Sequence, residues 1–105
     1  MARRTINFNY NGQNYELGFT LSTVEQMERN GFILRELSTK TAMRSQELFY
    51  GSFLANHKGI KRKLVDEIYA NLKDKEGLIT ALAEIYNEAG DSLMEEGNVS
   101  WTMSE

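Results

Sequence analysis

Apolar and polar residues alternate over the first twenty positions and then change to helical spacing. The stretch T-I-N-F-N-Y, the pair Asn11-Gly12 and the stretch N-Y-E-L-G-F-T read as two strands about a tight turn. Asn-Gly suits a type I′ turn, which needs positive φ at both central residues. Such a turn pairs Tyr10 with Gln13, Phe8 with Tyr15, Ile6 with Leu17 and Arg4 with Phe19. Ile6, Phe8, Tyr10, Tyr15, Leu17 and Phe19 then share one face, and Asn7, Asn9, Asn14 and Glu16 the other. A one-residue slip would send half the apolar set into water, so pattern and turn agree on one register. A lone two-stranded hairpin is marginal in water and needs a partner layer.

Helical patterns supply that layer. Ser22-Thr23-Val24-Glu25 reads as a capping box opening a helix over 22–30, which Asn30-Gly31 closes. Phe32, Ile33, Leu34 and Leu37 predict a short helical turn laid against the sheet. A helix over 41–57 is apolar on much of its circumference, the mark of a central element. Gly51 within it loses about 1 kcal/mol against alanine, which close packing would offset. A helix over 60–72 carries Ile60, Leu64, Val65, Ile68 and Leu72 on one face. A last helix, over 75–96 and capped by Asp74, carries Leu78, Leu82, Ile85, Ala89 and Leu93. The expected architecture is therefore α+β: an N-terminal β-hairpin at about 5–20 packed on a bundle of about four helices, in one domain spanning 1–105. The tail 98–105 alternates again, with Val99, Trp101 and Met103 against Ser100, Thr102 and Ser104. It reads either as a frayed end or as an added strand on a hairpin edge, in its own chain or in a neighbour.

Composition narrows the chemistry. The 105 residues contain no cysteine, so no disulfide, thiolate metal site or cysteine nucleophile is available. No apolar run approaches the roughly 20 residues that cross a bilayer, and M-A-R-R is followed by no signal-like apolar segment. The net charge of −3 gives no general attraction for nucleic acid. The one histidine, His57, stands at a predicted helix end and reads as a cap or surface residue. The carboxylate groups Asp66-Glu67, Glu84 with Glu88, and Glu95-Glu96 read as solvated helix faces. No phosphate-binding or metalloprotease motif occurs. The expectation is a chain that is no enzyme, with no catalytic residue, no cofactor and no metal. The sharpest polar feature is Lys58-Gly59-Ile60-Lys61-Arg62-Lys63, read either as a solvated turn or as an anion site at a helix N-terminus. What remains is apolar: five tyrosines, five phenylalanines and one tryptophan. Tyr10, Tyr50, Tyr69, Tyr86 and Trp101 are not all expected inside. Val99, Trp101, Met103 and Tyr50 are the candidate protein-interaction residues.

The order of these elements resembles the small tail assembly chaperones of long-tailed bacteriophages and prophages. Gly12, Tyr15, Leu17 and Phe19 match a hairpin of the form G-x-x-Y-x-L-x-F. Glu25, Glu28 and Gly31 match a Glu-rich helix ending in glycine, and Leu48, Phe49, Tyr50 and Gly51 match a central helix with shifted small residues. The resemblance covers about Asn7 to His57. It implies a protein of the bacterial host cytoplasm, absent from the finished virion, that coats the tape-measure protein and recruits tail tube protein. It also implies weak homo-oligomers and a longer product made by translational frameshifting. No nucleic acid or membrane partner is expected. The alternative reading is a small mobile-element regulator or DNA-binding accessory protein, resting on the Lys58–Lys63 stretch.

Overall fold

The computed structural model describes residues 4–94 and 97–104. Two antiparallel strands, β1 (Ile6–Tyr10) and β2 (Gln13–Leu17), pair in the register that the alternation demands: Ile6 with Leu17, Phe8 with Tyr15, Tyr10 with Gln13. Asn11 and Gly12 connect them at φ 51° and 83°, the positive values that a primed turn needs. Four helices follow: α1 (Leu21–Arg29), α2 (Thr41–Gly51), α3 (Arg62–Ala70) and α4 (Lys75–Asp91). The fold is α+β, a hairpin on a helical layer, and Leu17, Leu48, Phe49, Phe53, Val65, Ile68 and Leu82 make the sealed centre of its core.

Several boundaries differ from the pattern reading. Thr20, not Ser22, caps α1. Its hydroxyl accepts from the Thr23 N–H at 3.1 Å, and its own N–H donates to Thr23 Oγ1 at 2.8 Å. Threonine thus takes the returning role that Glu25 was expected to fill, and Glu25 instead faces Arg29 at 3.8 Å. Asp74 does cap α4, its Oδ1 accepting from the Gly77 N–H at 3.1 Å. The helix α3 is shorter at each end than expected, and α4 closes at Asp91, followed by a 3-10 turn over Ser92–Met94. Glu95 and Glu96 lie outside the described residues.

The largest departure is in α2, which stops at Gly51 rather than continuing to 57. A chain of turns follows instead, because the backbone there bonds to the sheet. The Ser52 carbonyl accepts from the Gly18 N–H at 2.9 Å. His57 Nε2 accepts from the Glu16 N–H at 3.0 Å, and Asn56 Nδ2 donates to the Glu16 carbonyl at 3.4 Å. A continued helix would have turned these groups onto itself. His57 is thus a strand fastener, not a helix cap. Gly51 is packed closely, as expected: a Cβ there would fall 2.5 Å from the Met27 sulfur.

The segment after α1 also docks differently. It forms a 3-10 turn over Leu34–Ser38 that lies on the helices, not on the sheet. Arg44 of α2, 9% exposed, donates to Glu36 Oε1 at 2.7 and 3.0 Å and to Glu47 Oε1 at 2.7 Å. This hydrogen bonding, with Lys40 and Arg35 nearby, holds the Glu36 carboxyl below the usual carboxylate range.

Tyr86 of α4 is buried between Phe19 and Phe32, with ring centroids 5.2 Å away on each side. Burial, with the charge of Glu28 second, pushes its phenol up to about 12. An exposed phenol in the unfolded chain titrates near 10, so the unfolded state loses its proton first as pH rises. The neutral form's contribution is intact below about pH 10 and is lost between about 10 and 12. The urea midpoint is expected to fall across that window, with a loss of about 2–3 kcal/mol. Tyr86→Phe should flatten the decline, and an equally steep decline in that variant would refute the assignment.

Candidate protein-interaction site

Where α1, the 3-10 segment and α4 meet, they leave a groove of about 680 Å³. Val24, Phe32 and Tyr86 are its buried apolar residues, and Ile33, 38% exposed, is the most open apolar residue lining it. Glu28, Arg35, Asn87 and Asp91 supply its polar lining. The local sequence explains the shape. Gly31, at φ 94°, lets the chain leave α1 sharply, so Phe32 turns inward while Ile33 stays out. Gly90 offers no side chain on the α4 wall. Leu93 and Met94, exposed at 68% and 83%, follow directly in the chain from the groove's Asp91.

The tail is the second apolar surface. Val99, Trp101 and Met103 are 87%, 79% and 82% exposed. The segment 99–104 forms no strand with its own hairpin. Tyr50, the fourth candidate, is only half-buried and lies elsewhere: the Arg62 guanidinium stands 4.9 Å from its ring centroid. The structure therefore does not gather the four candidates into one site. The groove residues Phe32, Ile33 and Tyr86 were not singled out from the sequence. Their signal is faint, because Phe32 and Tyr86 are 54 positions apart and each reads locally as ordinary core.

Several of the polar candidates are engaged within the fold. Arg62, in the middle of the basic stretch, also donates to Asp66 at 3.1 Å. Glu84 and Glu88 are not merely solvated: Arg4 Nη2 lies 3.4 Å from Glu84, and Arg4 pairs closely with Glu88, whose carboxyl is held below its usual range by that hydrogen bond. The Tyr10 hydroxyl donates to Glu67 at 2.7 Å, fastening the hairpin tip to α3. Among the described residues no cluster of histidine, cysteine, aspartate or glutamate is placed to hold a metal, and no helix is long and apolar enough to cross a membrane.

Among known proteins, no curated protein matches this chain. No solved structure matches it either. One family model does match, over residues 1–104, and its description is a domain of unknown function. A hairpin fastened to a four-helix layer is thus one instance of a shared domain, and the chain belongs to the family described as DUF5055.

Proposed function

We propose that this protein is a non-enzymatic tail assembly chaperone of a long-tailed phage or prophage. It binds the tape-measure protein and keeps it soluble while tail tube subunits polymerise around it, in the cytoplasm of a bacterial host. The observation that carries this reading is the groove between α1 and α4, floored by Phe32 and Tyr86 with Ile33 open at its side. An amphipathic helix lays apolar anchors into such a groove, and a tape-measure protein is a long helical rod that offers them repeatedly. Isolated apolar side chains on a surface are ordinary, but here Ile33 opens onto a groove whose lining residue Asp91 is followed in the chain by the exposed Leu93 and Met94. The hairpin and helix motifs that resemble the chaperones support it, since Tyr15, Leu17 and Phe19 are buried in the core. Copies set side by side along the rod complete the picture.

Co-expression of the full chain with a tape-measure helical segment from the same genome, followed by pull-down, tests the proposal. Capture of the segment is expected, with at least a tenfold loss in Ile33→Asp, whose folding is checked by circular dichroism. No capture by the wild-type chain would overturn the function. Full capture by Ile33→Asp would overturn the groove as the contact.

A further inference from the structure

The two edges of the hairpin are not equivalent. In this register the main-chain groups of Asn14, Glu16 and Gly18 point away from β1, and those of Asn7 and Asn9 point away from β2. The β2 edge is covered by the 52–57 turns, which take the Glu16 N–H, the Glu16 carbonyl and the Gly18 N–H. The β1 edge is open. Asn7 and Asn9 are exposed, and their outward main-chain groups have no hydrogen-bond partner among the described residues. Burial follows the same asymmetry. Tyr15 and Leu17 on β2 are buried, whereas Ile6, Phe8 and Tyr10 on β1 are only half-covered.

We propose that the β1 edge is an interface between copies of this chain, and that its occupant is the tail segment Val99–Met103 of a second copy, added as a third strand. The match is specific in three respects. The tail segment has the five-residue length of β1. Its alternation places Val99, Trp101 and Met103 beside the half-covered Ile6, Phe8 and Tyr10. Ser100 and Thr102 then fall beside Asn7 and Asn9, where hydroxyl and amide groups can bond across strands. Both halves of the contact are thus left incomplete among the described residues of the single chain: an edge with unmet hydrogen bonds, and an exposed segment with none. The radius of gyration is 15.9 Å, against about 13 Å for a compact chain of this length, so the tail reaches outward rather than folding back. The contact is head-to-tail, because donor and acceptor are different surfaces, and such contacts repeat into an open array or close into a ring. This deepens the array of copies in the proposed function. It is tested on this chain alone, so failure of either leaves the other standing.

Trp101 is the sole tryptophan and reports directly. On raising the full-length chain from micromolar to near-millimolar concentration, its emission is expected to shift to the blue while sedimentation shows assembly. Deletion of 98–105 and Trp101→Ser should each leave a folded monomer at every concentration, checked by circular dichroism. Asn9→Pro removes one outward N–H at an edge position that tolerates proline, and should weaken assembly at least tenfold. A synthetic peptide of residues 98–105 should compete and disperse the assembly. A monomer at all concentrations, or assembly undiminished by the deletion, would overturn the proposal. A blue shift independent of concentration would also overturn it, since the tail would then occupy its own chain's edge.

Discussion

Phe53→Ala is expected to destabilise the fold by about 3–5 kcal/mol, the range for removing a fully buried aromatic side chain. Phe53 has no exposed surface, and its ring centroid stands 5.0 Å from Phe49, 5.8 Å from Tyr15, 6.2 Å from His57 and 6.3 Å from Phe8. All four neighbours meet it near edge-to-face, an arrangement that adds to simple burial. The position magnifies the loss. Phe53 lies in the turns that also hold the Gly18 and Glu16 main-chain groups, so a cavity there loosens the join between sheet and helices. A small domain has a total stability of roughly 5–15 kcal/mol, so the variant loses a large part of it. Urea unfolding followed by far-UV circular dichroism measures it. A loss below about 1 kcal/mol would mean that Phe53 is not central to the core.

Gly51→Leu is the second large effect. The position ends α2 against α1, where Met27 lies so near that even a methyl group must displace its sulfur and methyl carbon. Met27 is itself buried, so its thioether has little free space to enter. Overpacking of this kind costs about 1–3 kcal/mol, against which the better helix propensity of leucine returns less than about 1 kcal/mol. A net loss of about 2 kcal/mol is expected. The test of cause is the double variant. Met27→Ala alone leaves a cavity, but combined with Gly51→Leu it should recover a large part of the loss, a coupling of about 1 kcal/mol or more. Additive losses would show that the strain lies in the backbone and not in the methionine contact.

The hairpin was legible because three local signals agree: the period of two, the Asn-Gly turn and the apolar face. The helices were legible in number and order but not at their ends. Phe53 and Leu54 continue a helical spacing from Phe49 and Tyr50, and nothing local reveals that Ser52 will lend its carbonyl to Gly18. The α1 cap slipped by two residues because a threonine hydroxyl can replace a glutamate in the returning hydrogen bond. Arg44 went unnoticed, since a charged residue in a helix reads as a wet face unless its partners are known. Here they are Glu36 and Glu47. The exposed alternation of Val99, Trp101 and Met103 could be read directly, whereas the groove depends on residues far apart in the chain.

The clasp between Arg4 and Glu88 joins positions 84 residues apart. At about 5–20 residues per second, a ribosome needs roughly four to seventeen seconds to pass from one to the other. During that interval Phe19 waits for Tyr86 of α4, although Phe8 and Tyr15 already have Phe53 to pack on. Phe19 is therefore the last part of the hairpin's apolar face to be covered in a newborn chain, and slower translation lengthens its exposure.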